Sequence, residues 1–451
     1  MSARKKRRSW RIIVIAVLAV VLILAVLPLL ATALFYQNLT SYIESDTFRA
    51  KLEDETAKGL HFQSGHYDAI KRTGMLTAES GGFQGKEGRK TIRTMDVRKI
   101  TAKFNPWGVL LRRWQLDQVH VASGEVGIQV YKPTMEPTLA KPWFHIFLPQ
   151  RVYLKRVESD PVDVTWRFRE KRSGFFGTRL LITPHGRDFD YQATGGTFKN
   201  APIPELRLRQ TRMLITKTWL TLYQLDLASR ESETGSIHAE AKAGIGEDKS
   251  VDVAINVEKM SIDDWLPDDW RGHIAGLASG QIAWQGKDTK LENSQVEAKL
   301  SIDGGRVNKL PFLEKLATLT KEKELEHLAL NECAFDLVWD YPNTEIKKLA
   351  IEDKGKFRAE GKIQIKNRSL SGTVQLGVAR RLLDWLPTPE EVFPSQHGRY
   401  LWTTVRLSGT IDKPEQDLSP RILEAIKESP SAALGLLFRQ IGLWLKGEPG
   451  T

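Results

Sequence analysis

A run of 24 residues without a charge, Ile12–Phe35, constrains this chain more than any other feature. As a helix it spans about 36 Å, enough to cross a bilayer with some tilt. Six basic residues, Arg4, Lys5, Lys6, Arg7, Arg8 and Arg11, stand before it and supply six of the formal net charge of +11. That placement keeps the N-terminus in the cytoplasm and exports the remainder of the chain. Trp10 and Tyr36 sit at the two headgroup levels. The expected anchor is therefore residues 12–35, after a basic segment 1–11, with Trp10, Arg11, Ile12, Phe35 and Tyr36 at its boundaries. Ala31-Thr32-Ala33 also fits a signal-peptidase site, so cleavage is the competing reading. Either way residues 37–451 lie outside the cytoplasm. No second apolar run is long enough to span, so a single-pass protein is expected.

Export narrows the chemistry. With one cysteine, Cys333, there is no disulfide framework and no Cys-based metal site. Nucleic acid is excluded as a partner by the compartment, and the basic excess is largely the N-terminal cluster. A second basic stretch, 86–113, reads either as a contact for anionic headgroups or as a solvated strand face.

Residues 41–60 predict an amphipathic helix, with Ser45 or Asp46 at its start, Gly59 at its stop, and Ile43, Phe48, Leu52 and Leu60 on one face. From about 62 to 410 the apolar period changes from 3.6 to 2. Alternating runs such as Val119–Tyr131, Glu205–Leu214, Ser236–Ala243, Ser250–Val257, Gln295–Ile302 and Ala334–Tyr341 are bounded by turn residues. In Phe357–Lys366, Phe357, Ala359, Gly361, Ile363 and Ile365 share one face, and charged or amide side chains share the other. Phe335, Leu337 and Trp339 repeat the pattern. The expectation is a mainly β chain built on a long antiparallel sheet with one apolar and one wet face. Phe335, Leu337, Trp339, Phe357 and Ile363 are the candidate apolar groove.

Three helical pieces are expected besides: Pro311–Leu328, a helix opening at Ser419-Pro420, and Pro430–Lys446. The last has Leu434, Leu437, Phe438, Ile441 and Trp444 on one stripe. Asp264-Trp265-Leu266-Pro267 recurs as Asp384-Trp385-Leu386-Pro387. Each copy follows an alternating strand and precedes one with a tryptophan, which predicts a repeated β module turning at a D-W-L-P corner.

Little in the chain suggests catalysis. Gly81–Glu87 lacks the first glycine and the Ser/Thr of a P-loop and reads as a glycine-rich turn. His61 and His66 are too loosely spaced to imply a metal. Asp263-Asp264 and Asp268-Asp269 read as turn acids rather than a glycosidase pair. The chain is expected not to be an enzyme and to need no cofactor.

Residues 98–131 resemble the N-terminal signature of AsmA-like and TamB-like proteins. The resemblance is carried by Phe104-Asn105-Pro106, Leu110–Trp114, Leu116–Val121 and Gly124–Val130. The C-terminal half is similar to the AsmA C-terminal region at Gly304–Val307, Leu310–Leu313, Gly355–Gly361, Leu370–Val374 and Leu407–Pro414. The resemblance implies an inner-membrane-anchored periplasmic protein with a long, curved, taco-like β-groove, linked to outer-membrane biogenesis and phospholipid movement. It divides the chain into an N-terminal β region, 62–235, a C-terminal β region, 236–418, and C-terminal helices, 419–451. It implies inner-membrane lipid and a phospholipid ligand as partners. An envelope protein bound by the C-terminal helices is a further one. The alternative is a tethered scaffold with a closed β core and no lipid transfer, because periodicity alone does not separate an open trough from a closed one.

Overall fold

The computed structural model describes residues 37–427, apart from 39, 90–91, 106–113, 130–151, 169–170, 187, 201–202, 217, 231–233, 245–247, 267–270, 289–290, 309–313, 315–316 and 318–321. The expected anchor with Trp10, Arg11, Ile12, Phe35 and Tyr36, and the stripe of Pro430–Lys446, lie outside the described residues. Among the described residues no helix is long and apolar enough to cross a membrane. The chain is mainly β and divides into two compact units, 1–184 and 185–451.

The first unit begins with helix α1, Asp46–Leu60. Ser45 caps it by accepting the Phe48 N–H at 3.2 Å. Its stop is not Gly59, which stays helical, but His61, in the left-handed conformation at φ 60°, whose N–H reaches back to Lys58 and Ala57 carbonyls. Nine strands follow: β1 Phe62–Tyr67, β2 Ile70–Arg72, β3 Thr77–Gly88, β4 Ile92–Phe104, β5 Trp114–Ile128, β6 Val152–Leu154, β7 Val157–Ser159, β8 Val162–Phe168 and β9 Lys171–His185. Helix α1 buries Phe48 beside Ile43, Ile70 and Ala78, and about two and a half turns later Ala57 beside Phe62, Phe83 and Val97.

Two sequence expectations need correction here. The glycines of Gly81–Glu87 lie inside β3, not in a turn. A Cβ on Gly85 would stand 2.6 Å from the Phe62 ring, so the missing side chain makes room for an aromatic ring. The sheet is also not antiparallel throughout. β5 pairs in parallel with β6, β7 and β8. Parallel pairing needs a connection of a dozen residues or more, and residues 129–151 supply that length, which strand periodicity does not reveal.

The second unit is an antiparallel meander. Its strands are β10 Asp188–Thr194, β11 Thr197–Asn200, β12 Ile203–Ile215, β13 Trp219–Ser229, β14 Ser236–Gly244, β15 Val251–Ser261, β16 Ile274–Gly286 and β17 Ser294–Asn308. They continue as β18 His327–Leu330, β19 Glu332–Asp340, β20 Asn343–Asp353, β21 Phe357–Lys366, β22 Ser369–Ala379, β23 Ser395–His397, β24 Tyr400–Gly409 and β25 Pro414–Gln416. From β12 to β17 each strand pairs with the next in sequence. The order then runs β17, β19, β20, β21, β22 and β24. The expected helix Pro311–Leu328 does not reach its predicted end, because Lys323–Glu326 is a single 3-10 turn and His327–Leu330 pairs with β17.

Among the described residues this unit also has the short helices α2 Pro389–Val392 and α3 Leu418–Lys427. Ser419 does not cap α3. The carboxamide of Gln416 accepts the N–H groups of Leu418 and Ser419, at 2.7 and 3.0 Å. Pro420, lacking an N–H, sits where no donor is needed.

Candidate functional site

Register places the apolar residues of the second unit in continuous rows across eleven strands. One row runs through Leu208, Leu227, Ile237 and Val257, then Gly280 and Leu300. It continues as Phe335, Leu349, Gly361, Val374 and Val405. The next row passes from Leu225 through Ile255, Ile282, Leu337 and Ile363 to Leu407. A third takes Leu222, Val253, Trp284, Trp339, Ile365 and Leu370. Ten strand intervals are about 48 Å, and the outer rows are about 14 Å apart. The three rows together span roughly 700 Å² of sheet.

Most of this face is neither in a core nor free in solvent. Phe335, Leu337, Trp339, Phe357 and Ile363 are all half-buried, as are Leu300, Ile346, Leu349 and Val374. The described strands of this unit pair edge to edge in one sheet, and Leu208, Leu227 and Val405 of the first row are buried. Trp284 adds a polar atom: its indole N–H is occluded and has no hydrogen-bond partner among the described residues.

The five candidate groove residues separate into two environments. Phe357 and Val378 lie at the end where the chain folds back on the sheet and pack against Tyr400, Leu382 and Ala379. Beside them Leu383, Leu386, Val392, Phe393 and Ala425 cover Leu401, which is 3% exposed. Arg421 of α3 fastens this cover by donating to Thr403 Oγ1 at 2.9 Å and to the Thr404 carbonyl at 2.7 Å. Phe335, Leu337, Trp339 and Ile363 lie on the part of the face that no described helix covers. Trp339 there meets Tyr341 edge-on, with centroids 6.1 Å apart.

The reverse face is ionic. Arg358 reaches Glu332, Glu352 and Glu360 at 2.9, 2.8 and 2.5 Å. Lys348 reaches Asp336 at 3.1 Å, and Gln364 donates to Glu345 at 3.0 Å. Further along, Asp226 accepts from His238, Gln210 and Gln224 at 2.6, 2.8 and 2.7 Å. The Asp226 contact raises the His238 imidazole above its ordinary range. Burial pushes the Cys333 thiol up.

The other residues singled out from sequence fall elsewhere. His66 contacts Glu53 at 3.0 Å. Asp263 accepts the Gly272 N–H at 2.8 Å, as a turn acid does. In the basic stretch, Arg93, Arg98, Lys99 and Lys103 are exposed on β4, while Arg112 and Arg113 lie outside the described residues. The two D-W-L-P corners occupy equivalent places, after β15 and after β22, each next to a 3-10 turn. Trp385 is packed under the cover and donates to the Leu382 carbonyl at 2.8 Å, whereas Trp265 is 42% exposed. The apolar face was expected from sequence, but the strand-to-strand pairing that makes the rows continuous was not. Their signal is the run of period-2 strands with almost no charge on one parity.

No family model matches the chain, and neither does any curated protein or solved structure.

Proposed function

We propose that the second unit binds lipid acyl chains along its apolar face, as part of an AsmA-like, inner-membrane-anchored periplasmic protein serving outer-membrane biogenesis. The observation that carries this reading is the set of three apolar rows, whose middle residues, among them Leu300, Phe335, Leu337, Trp339 and Ile363, are half-buried rather than in the core. Apolar side chains in an ordinary core are buried, and a face of this size left in water costs free energy that acyl chains would recover. The ion-paired reverse face is the solvated one, so the apolar face is the side that needs a cover. Among the described residues neither face sets a nucleophile beside a base, which supports binding or conduction.

A photo-crosslinking amino acid placed at Leu337 or Ile363 of the full chain in cells should capture phospholipid adducts, read by mass spectrometry. The same probe at Gln364, on the reverse face, should not. Equal labelling at the three positions, or none at Leu337 and Ile363, would overturn the reading. The cover over Leu401 favours a second one, a scaffold with a closed core, and that reading expects protein crosslinks at Leu337. A reporter fused after Thr451 should be active only when exported.

A further inference from the structure

β22 differs from its neighbours on the ionic face. Its outward residues, Ser369, Ser371, Thr373 and Gln375, are short or uncharged, and the strand carries no charge at all. Cations stand on both sides of it. Lys362 of β21 is directly across from Thr373, and Thr373 is directly across from Arg406 of β24. On the far side of Lys362, a bulge between Ile346 and Leu349 sets both Lys347 and Lys348 opposite it. Like charges facing each other across a ladder repel, and the bulge concentrates them.

On the same face Arg358 meets three carboxylates. Here Lys348 is tied to Asp336, but no ion pair ties Lys347, Lys362 or Arg406 to a carboxylate among the described residues. Two of the nearby acids are already engaged, and a third, Glu415 of β25, stands across from Ser408. Glu360 holds Arg358, and Asp417 takes the Arg406 backbone N–H at 2.8 Å and Arg421 at 3.4 Å. Two hollows of 470 and 630 Å³ lie over this ground and share Lys362 and Thr373. The Cα atoms of Lys362 and Arg406 are two strand intervals apart, about 9.6 Å. A tetrahedral oxyanion seated over Thr373 meets a cation on each side, and hydroxyl donors from Thr373, Ser371 and Ser408 beneath. That is the donor set a phosphate group takes.

We infer that the β21–β22–β24 trough is a phosphate-binding site, for a free phosphate or for the phosphate of a lipid headgroup. It lies on the reverse of the apolar face and does not depend on that face binding acyl chains.

The test uses the full chain in a non-ionic detergent, titrated with inorganic phosphate and with short-chain dihexanoyl phosphatidylglycerol by calorimetry. Lys362→Gln and Arg406→Gln should each weaken binding by about tenfold or more. Lys299→Gln, a cation of the same face three strands away, should not. Both positions are exposed, and circular dichroism melts should confirm that the variants stay folded. Equal affinity for the two probes would assign a free phosphate group, and tighter binding of the lipid would assign a headgroup. No binding of either probe, or equal loss in Lys299→Gln, would overturn the proposal. Ile363→Asp should abolish acyl crosslinking and leave phosphate binding intact, so the two readings fail separately.

Discussion

The phenol of Tyr400 donates to Glu352 Oε1 at 2.9 Å and accepts the Gly355 N–H at the same distance, joining β24 to the β20–β21 turn. The ring is buried, and burial is the main cause that pushes its phenol pKa up. Tyr400→Phe removes the hydroxyl and leaves a shielded acceptor and donor. A loss of about 1–2 kcal/mol in urea unfolding is expected, with little change in the packing around Leu382.

Aspartate substitutions should separate the covered from the uncovered part of the apolar face. At Leu401, 3% exposed, the carboxylate has no water and no partner, and a loss of about 3 kcal/mol or more is expected. At Ile363, half-buried, the carboxylate keeps some hydration and the loss should be about 1 kcal/mol. Equal losses at both sites would mean that Ile363 belongs to a closed core.

That Phe335, Leu337, Trp339, Phe357 and Ile363 share a face was legible in sequence, because alternation fixes which side chains do so. Phe335, Leu337, Trp339 and Ile363 do lie together on one face. Alternation carries no information about the layer above that face. The fold-back of residues 380–393 and helix α3 puts Phe357 near the cover, and only tertiary packing decides that. The two D-W-L-P corners make the same point, since one tetrapeptide leaves Trp265 exposed and Trp385 packed. Parallel pairing of β5 was illegible for a different reason: partner choice depends on a connection whose residues have no period.

Gly280 sits in the longest apolar row at φ 154°, and a Cβ there would stand 2.0 Å from the Lys299 carbonyl oxygen of β17. That neighbour is backbone and does not swing aside. Gly280→Ala should lower stability by about 1–3 kcal/mol, measured by chemical denaturation, and locally disturb the β16–β17 ladder.

His238 and Asp226 predict a pH dependence. Asp226 has a carboxyl held below its usual range: burial pushes it up, and hydrogen bonds from His238, Gln210 and Gln224 outweigh that. A raised imidazole stabilises fully below its unfolded pKa, and that contribution is lost as pH rises through the folded value. The depressed carboxyl stabilises above its unfolded pKa and loses this as pH falls through the folded one. The pair therefore contributes from about pH 4 up to the raised His238 value, and only modestly, since the imidazole is 45% exposed. An NMR titration should find His238 above about 6.5, and Asp226→Asn should bring it back down.

The meander in which each long strand of the second unit pairs with its sequence neighbour makes length a heritable dimension. Excising or duplicating one hairpin changes the sheet by about 9.6 Å and leaves every other pairing in place. Such a molecule has no fixed size that its folding must defend. Its reach can be set by tandem gain or loss of coding segments, as in solenoid proteins, while the local chemistry of each rung is inherited unchanged.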